Sequence, residues 1–173
     1  MALQFKLSTA LLLVGLAINH HGHAQEYPTH NVYAELGGPG LAYSVNYDTR
    51  FADAHKGLGL RAGVGFWTVS PENLHRFVLP VQLNYLAGKQ RHFFEAGAGT
   101  TLLHSGGGGD SIFDVTDKKG TSVIGTISCG YRYQAITKGI NARVGGSLNF
   151  HKVGLPLPYP ALSFGYTFPK NKN

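Results

Sequence analysis

The sequence predicts an all-β fold, an eight-stranded antiparallel up-and-down transmembrane β-barrel, and three observations carry that prediction. The first is a phase rule. From about residue 30 onward, short stretches alternate bulky apolar residues with small or polar ones. Glu35, Asp48, Arg50, Arg61, Glu95, Arg132 and Arg143 all fall on the non-bulky phase. A strand has a side-chain period of two, so the phases face opposite sides of a sheet. One face is then apolar throughout and the other holds the charges, as in a barrel embedded in lipid. The second is composition: 24 Gly, 10 Phe and 9 Tyr with 14% charged residues, in a chain of 173, suit strands better than helices. The third is that no stretch beyond the N-terminus holds enough unbroken apolar residues for a membrane-spanning helix. The mean hydropathy of −0.07 fits a barrel, because alternation halves the local average.

Residues 1–24 stand apart. Lys6 supplies a small basic region, Leu11, Leu12, Leu13, Val14, Leu16, Ala17 and Ile18 an apolar run, and Gly22 and Ala24 small residues before a cleavage site. This is the pattern of a secretory signal peptide, cleaved after Ala24. Residues 25–173 read as one domain, the barrel itself. Cys129 is the sole cysteine, so no intramolecular disulfide is available. A closed sheet supplies the support that such a secreted domain needs.

The strands follow in order. The first covers about 30–37, with Val32, Ala34 and Leu36 opposite Tyr33 and Glu35. Gly38, Pro39 and Gly40 predict a tight turn. The second covers 41–51, with Leu41, Tyr43, Val45, Tyr47 and Phe51 outward and Ser44, Asn46, Asp48 and Arg50 inward. In the third, 57–68, Leu58, Leu60, Val64 and Phe66 oppose Gly59, Arg61, Gly63 and Gly65. The fourth, 76–87, points Phe77, Leu79, Val81, Leu83 and Tyr85 out and Gln82 and Asn84 in, with a bulge expected at Pro80. The fifth, 91–103, sets Phe94, Ala96, Ala98 and Leu102 against Glu95, Gly97, Gly99 and Thr101. The sixth, 121–134, and the seventh, 139–151, turn Arg132 and Arg143 inward. The last, 159–168, sets Leu162, Phe164, Tyr166 and Phe168 against Ser163, Gly165 and Thr167.

Connections alternate in length. Those at 52–56, 88–90 and 135–138 are short, and those at 69–75, 104–120 and 152–158 are longer. Barrels of the outer membrane keep short turns on the periplasmic side and long loops outside. Tyr47, Phe51, Tyr85, Phe94, Tyr131, Tyr133, Tyr166 and Phe168 lie on the bulky phase near the short-turn ends. They predict an aromatic girdle at one membrane interface.

By its last strand the chain resembles the small eight-stranded outer-membrane barrels of Gram-negative bacteria, the OmpA-transmembrane and OmpX type. The local motif is the C-terminal strand, where Leu162, Phe164, Tyr166 and Phe168 look like the family's assembly signal, followed here by the five residues 169–173. The resemblance implies location in the cell outer membrane, contact with outer-membrane lipids and recognition of that strand by the barrel assembly machinery. It also implies a monomer, and it assigns no particular task.

A barrel of about eight strands has a lumen just wide enough for side chains to fill. Glu35 and Glu95 are expected to pair there with Arg61, Arg132 and Arg143, as structural filling. The reading is therefore a non-enzymatic barrel with a structural or surface-interaction role, without catalytic residues, metal or cofactor. The connection over 104–120 is its contact for an extracellular partner. The formal charge is +6, but the basic residues are scattered, which argues against nucleic acid. His30, His55, His75, His92, His104 and His151 show no metal-ligand spacing. Cys129 falls on the lipid phase as a small hydrophobe. Two alternatives remain. One is a lipid A-modifying enzyme, for which His104, Ser105 and Asp110 are the nearest approach to a hydrolytic set. The other is a secreted, soluble lipocalin-like barrel with its apolar phase turned inward, which would have to close its many bulky residues into a narrow lumen.

Overall fold

The structure, a computed structural model, describes residues 28–52, 54–69, 74–106, 120–151 and 155–169. The expected signal peptide and most of the connection 104–120 lie outside the described residues. Eight strands form: β1 (Pro28–Gly37), β2 (Tyr43–Arg50), β3 (Gly57–Val69), β4 (Leu74–Lys89), β5 (His92–Gly106), β6 (Gly120–Gln134), β7 (Gly139–Phe150) and β8 (Leu157–Pro169). Each pairs with its neighbours in sequence, and β8 returns to β1, closing an antiparallel up-and-down barrel. Closure leaves no sheet edge, so every strand finds backbone partners on both sides.

Alternation sets the two faces as the phase rule requires. In β2 the side chains read exposed, buried, exposed, buried along the strand, with Tyr43, Val45 and Tyr47 out and Ser44, Asn46 and Asp48 in. Leu36, Leu83, Val144, Leu162 and Phe164 stand exposed on other strands. Cys129 is on the outer face as well.

The expected bulge at Pro80 does not form. Pairing between β3 and β4 lapses at Gly63 and Val64, opposite Pro80 and Leu79, and resumes in the same register. On the other side Pro80 stays paired with Thr101 without a shift. A proline lacks only its own N–H, so it weakens the ladder on one side and leaves the residue count across the pair intact.

The lumen is layered, which the phase rule does not anticipate. Near the short turns it is closed by Leu86 and Phe93, with the His55 ring edge-on to Phe93 at 5.5 Å. The middle is charged. Toward the long loops, Val78, Leu103 and Ile124 form a buried apolar cluster, with Leu41 and Trp67 packed against it.

The β1–β2 connection is a 3-10 turn, Gly38–Gly40, where the sequence predicted a tight turn, and it folds into the lumen as a stopper. Thr101 Oγ1 donates to the Pro39 carbonyl at 2.8 Å, and Asn149 Nδ2 to that of Gly38 at 3.4 Å. These donors come from β5 and β7, so the turn is tied across the barrel. The Ala42 N–H donates to the Gly40 carbonyl at 2.9 Å around Leu41, whose φ of 67 and ψ of −72 mark a strained γ-turn. Leu41, expected outward on the second strand, instead precedes β2, and packing of its side chain against the luminal apolar cluster holds it there. Gly37, with φ of 72, must be glycine: a Cβ would run into the Pro160 carbonyl oxygen.

Candidate functional site: the charged lumen and the outer aromatic ring

Each luminal charge is delivered by a different register position of the inner phase. Asp48, from β2, is the hub. Arg50 Nη2 donates to its Oδ1 at 2.6 Å, and Asn84 Nδ2 to its Oδ2 at 2.5 Å. Arg132 Nη1 lies 3.4 Å and Arg143 Nη1 3.8 Å from the same Oδ2. Glu95, on β5, shares these two guanidinium groups at 3.5 Å each and accepts from Asn84 Nδ2 at 2.8 Å. Glu35 is paired with Arg61. Arg61 also reaches Asn46 Oδ1 at 3.4 Å. The Arg143 guanidinium lies 3.6 Å from the centre of the buried Tyr33 ring, a close cation–π contact.

Four arginines, Arg50, Arg61, Arg132 and Arg143, therefore share three carboxylates, Glu35, Asp48 and Glu95. Buried charges away from bulk water are tolerated only when paired and hydrogen-bonded. The residual space is small. A cavity of about 40 Å³, lined among others by Glu35, Arg61, Glu95, Arg143 and Ser163, has room for one or two water molecules.

The five luminal residues singled out from sequence, Glu35, Arg61, Glu95, Arg132 and Arg143, thus stand in one tier. Sequence reasoning placed Asp48 and Arg50 on the inner phase and left them out of the pairing, although Asp48 organises it. Tyr33 was missed in the same way. Its one signal was a large aromatic on a phase otherwise small or polar.

The candidate hydrolytic pair does not converge. β5 continues through Gly106, so His104 and Ser105 face opposite sides. His104 points outward with Nδ1 3.0 Å from Thr121 Oγ1, and Ser105 is buried inside. Asp110 lies outside the described residues. Among the described residues, no three His, Cys, Asp or Glu side chains are grouped to hold a metal ion.

On the outer face, Tyr47, Phe51, Tyr85, Phe94, Tyr131 and Tyr166 are exposed near the short-turn ends, with Tyr133 and Phe168 half-buried beside them. Two histidines tie neighbours in this ring together. His30 stacks between Tyr47 and Phe168, with ring centres 5.7 Å away on each side, and its Nδ1 is 2.5 Å from Tyr47 Oη. His92 stacks on Tyr131 at 6.0 Å, meets Tyr133 edge-on at 5.8 Å, and sets Nδ1 2.5 Å from Tyr131 Oη. Nothing in the sequence signalled these ring contacts, because they depend on strand register.

Fold and site define a class: a closed eight-stranded up-and-down barrel with an apolar exterior and a lumen filled by ion pairs. No protein-family model and no curated protein sequence matches the chain. Among solved structures it is similar to the crystal structure of the N-terminal β-barrel domain of Pseudomonas aeruginosa OprF. The TM-score is 0.59 at 11% identity, covering 84% of this chain and 100% of that one. At such low identity the likeness is one of fold alone, a closed antiparallel β-barrel.

Proposed function

We propose that the chain is an integral barrel protein of the bacterial outer membrane, non-enzymatic, with a structural or surface-interaction role and a lumen closed by its own side chains. One observation carries this reading: apolar side chains stand exposed around the whole exterior, while Asp48 and Arg132, both with 0% exposure, sit inside. Soluble proteins rarely expose contiguous apolar patches beyond a few hundred Å², whereas a lipid-facing wall requires one. The same observation counts against the lipocalin-like alternative, whose lumen would have to be apolar. The separation of His104 from Ser105 counts against the hydrolytic one.

The outward row Leu162, Phe164, Tyr166 and Phe168 on β8 supports recognition by the barrel assembly machinery, and the connection over 104–120 remains the candidate contact for an extracellular partner. The aromatic ring fits the membrane interface on the short-turn side. The protein should stay with membranes through a carbonate wash and run compact on gels unless boiled. Recovery as a soluble periplasmic monomer would refute the reading. Unchanged lipid A mass on expression is expected; a shifted mass would revive the enzyme.

A further inference from the structure

Charge is distributed unevenly along the sequence between the short turns and the long connections. The short turns and the residues flanking them carry Lys56, Lys89, Arg91 and Lys138 against the single acid Asp53. The long connections carry Lys118, Lys119 and Lys152 against four acids, Glu72, Asp110, Asp114 and Asp117. Three of the four short-turn cations, Lys89, Arg91 and Lys138, lie at two adjoining turns. Lys89 ends β4 and Arg91 lies in the two-residue β4–β5 turn, Gln90–Arg91, and both are exposed. His92 follows and pairs across strands with Tyr133. Arg91 Nη1 donates to Tyr133 Oη at 3.3 Å, and the His92 ring is wedged between Tyr131 and Tyr133. Lys138, also exposed, lies on the adjoining β6–β7 turn.

We propose that Lys89, Arg91, His92 and Tyr133 form a binding site for the phosphate of an anionic phospholipid in the leaflet at the short-turn side. A guanidinium and an ammonium are the two side chains that recognise phosphate best, the first with directed donors and the second as a point charge. Tyrosine at headgroup depth buries its ring against acyl chains while its hydroxyl stays in the polar layer. The Arg91–Tyr133 bond and the stacked His92 restrain this corner before a lipid arrives, which lowers the ordering cost of binding. The proposal rests on the membrane reading and goes beyond it by naming a lipid class and the residues that hold it.

The test uses the full barrel reconstituted into phosphatidylcholine vesicles with and without phosphatidylglycerol, then native mass spectrometry to count retained lipids. The wild type should retain phosphatidylglycerol over phosphatidylcholine, and added salt should weaken the preference. Lys89→Gln with Arg91→Gln should weaken retention about fivefold per cation, the effect of one basic side chain at an anionic surface. Lys118→Gln with Lys119→Gln removes the same charge from a long connection and should leave retention unchanged. Folding of each variant is checked by the unboiled gel band. Three results would overturn the site: equal retention of both lipids, equal loss in the two double variants, or displacement of the lipid by glycerophosphate, which would make a soluble phosphate the ligand. If the wild type does not float with the vesicles at all, the membrane reading itself has failed.

Discussion

Asp48→Asn is the sharpest perturbation of the lumen, since it keeps the shape of the side chain and removes its charge. Asp48 is fully buried and faces three guanidinium groups, those of Arg50, Arg132 and Arg143. Without it, Glu95 alone is left for Arg132 and Arg143, because Glu35 is engaged by Arg61. Arg50 retains only neutral acceptors, Asn84 Oδ1 at 2.6 Å and the Gly57 carbonyl at 3.0 Å. Breaking a buried pair by removing one partner costs about 3–5 kcal/mol, and Asp48→Asn is expected within that range. Glu95→Gln should cost less, about 1–3 kcal/mol, because Asp48 still serves both arginines. Lys138→Ala, at an exposed turn, should stay within about 0.5 kcal/mol. Urea unfolding of the vesicle-inserted barrel, followed by loss of the compact gel band, measures all three. An Asp48→Asn cost under about 1 kcal/mol, or one below that of Glu95→Gln, would refute the hub, since either outcome means the charges are satisfied independently of Asp48.

Further expectations concern the wall, the stopper and one turn. Ile127, at the centre of β6 and 53% exposed, faces outward; Ile127→Arg should cost about 2–4 kcal/mol in a bilayer, and a neutral result in the same urea titration would count against lipid at that position. Gly37→Ala meets both a positive φ and the Pro160 carbonyl, whereas Gly57, with φ of 94, has open space around it; Gly37→Ala should lower the gel-band melting temperature clearly more than Gly57→Ala, and equal shifts would show that the stopper is not tightly seated. Burial, and then the neighbouring Lys56 cation, hold His55 below the ordinary histidine value. The folded barrel therefore favours neutral imidazole there. Its contribution to stability is complete above about pH 6.5 and declines as pH falls below that value. His55→Asn should flatten this part of the pH–stability curve measured by melting, and an unchanged slope would remove His55 as its source.

The periodicity of two was sufficient to determine the strands, their inward and outward faces apart from Leu41, which precedes β2 and packs inside, and the alternation of short and long connections. Each of these depends only on neighbours along the chain. Arg61, Arg132 and Arg143 could be placed inside because a strand offers a residue only two directions. Which charges would meet could not be read that way. Asp48 and Arg132 are 84 residues apart, and their contact depends on the stagger accumulated around the closed sheet. The same holds for Tyr33 beneath Arg143, and for His92 between its two tyrosines. The turn Gly38–Gly40 was legible as a turn, but its direction was not. It bends inward because donors on β5 and β7 and an apolar pocket from β4, β5 and β6 wait inside, and only closure of the barrel brings those distant strands around it.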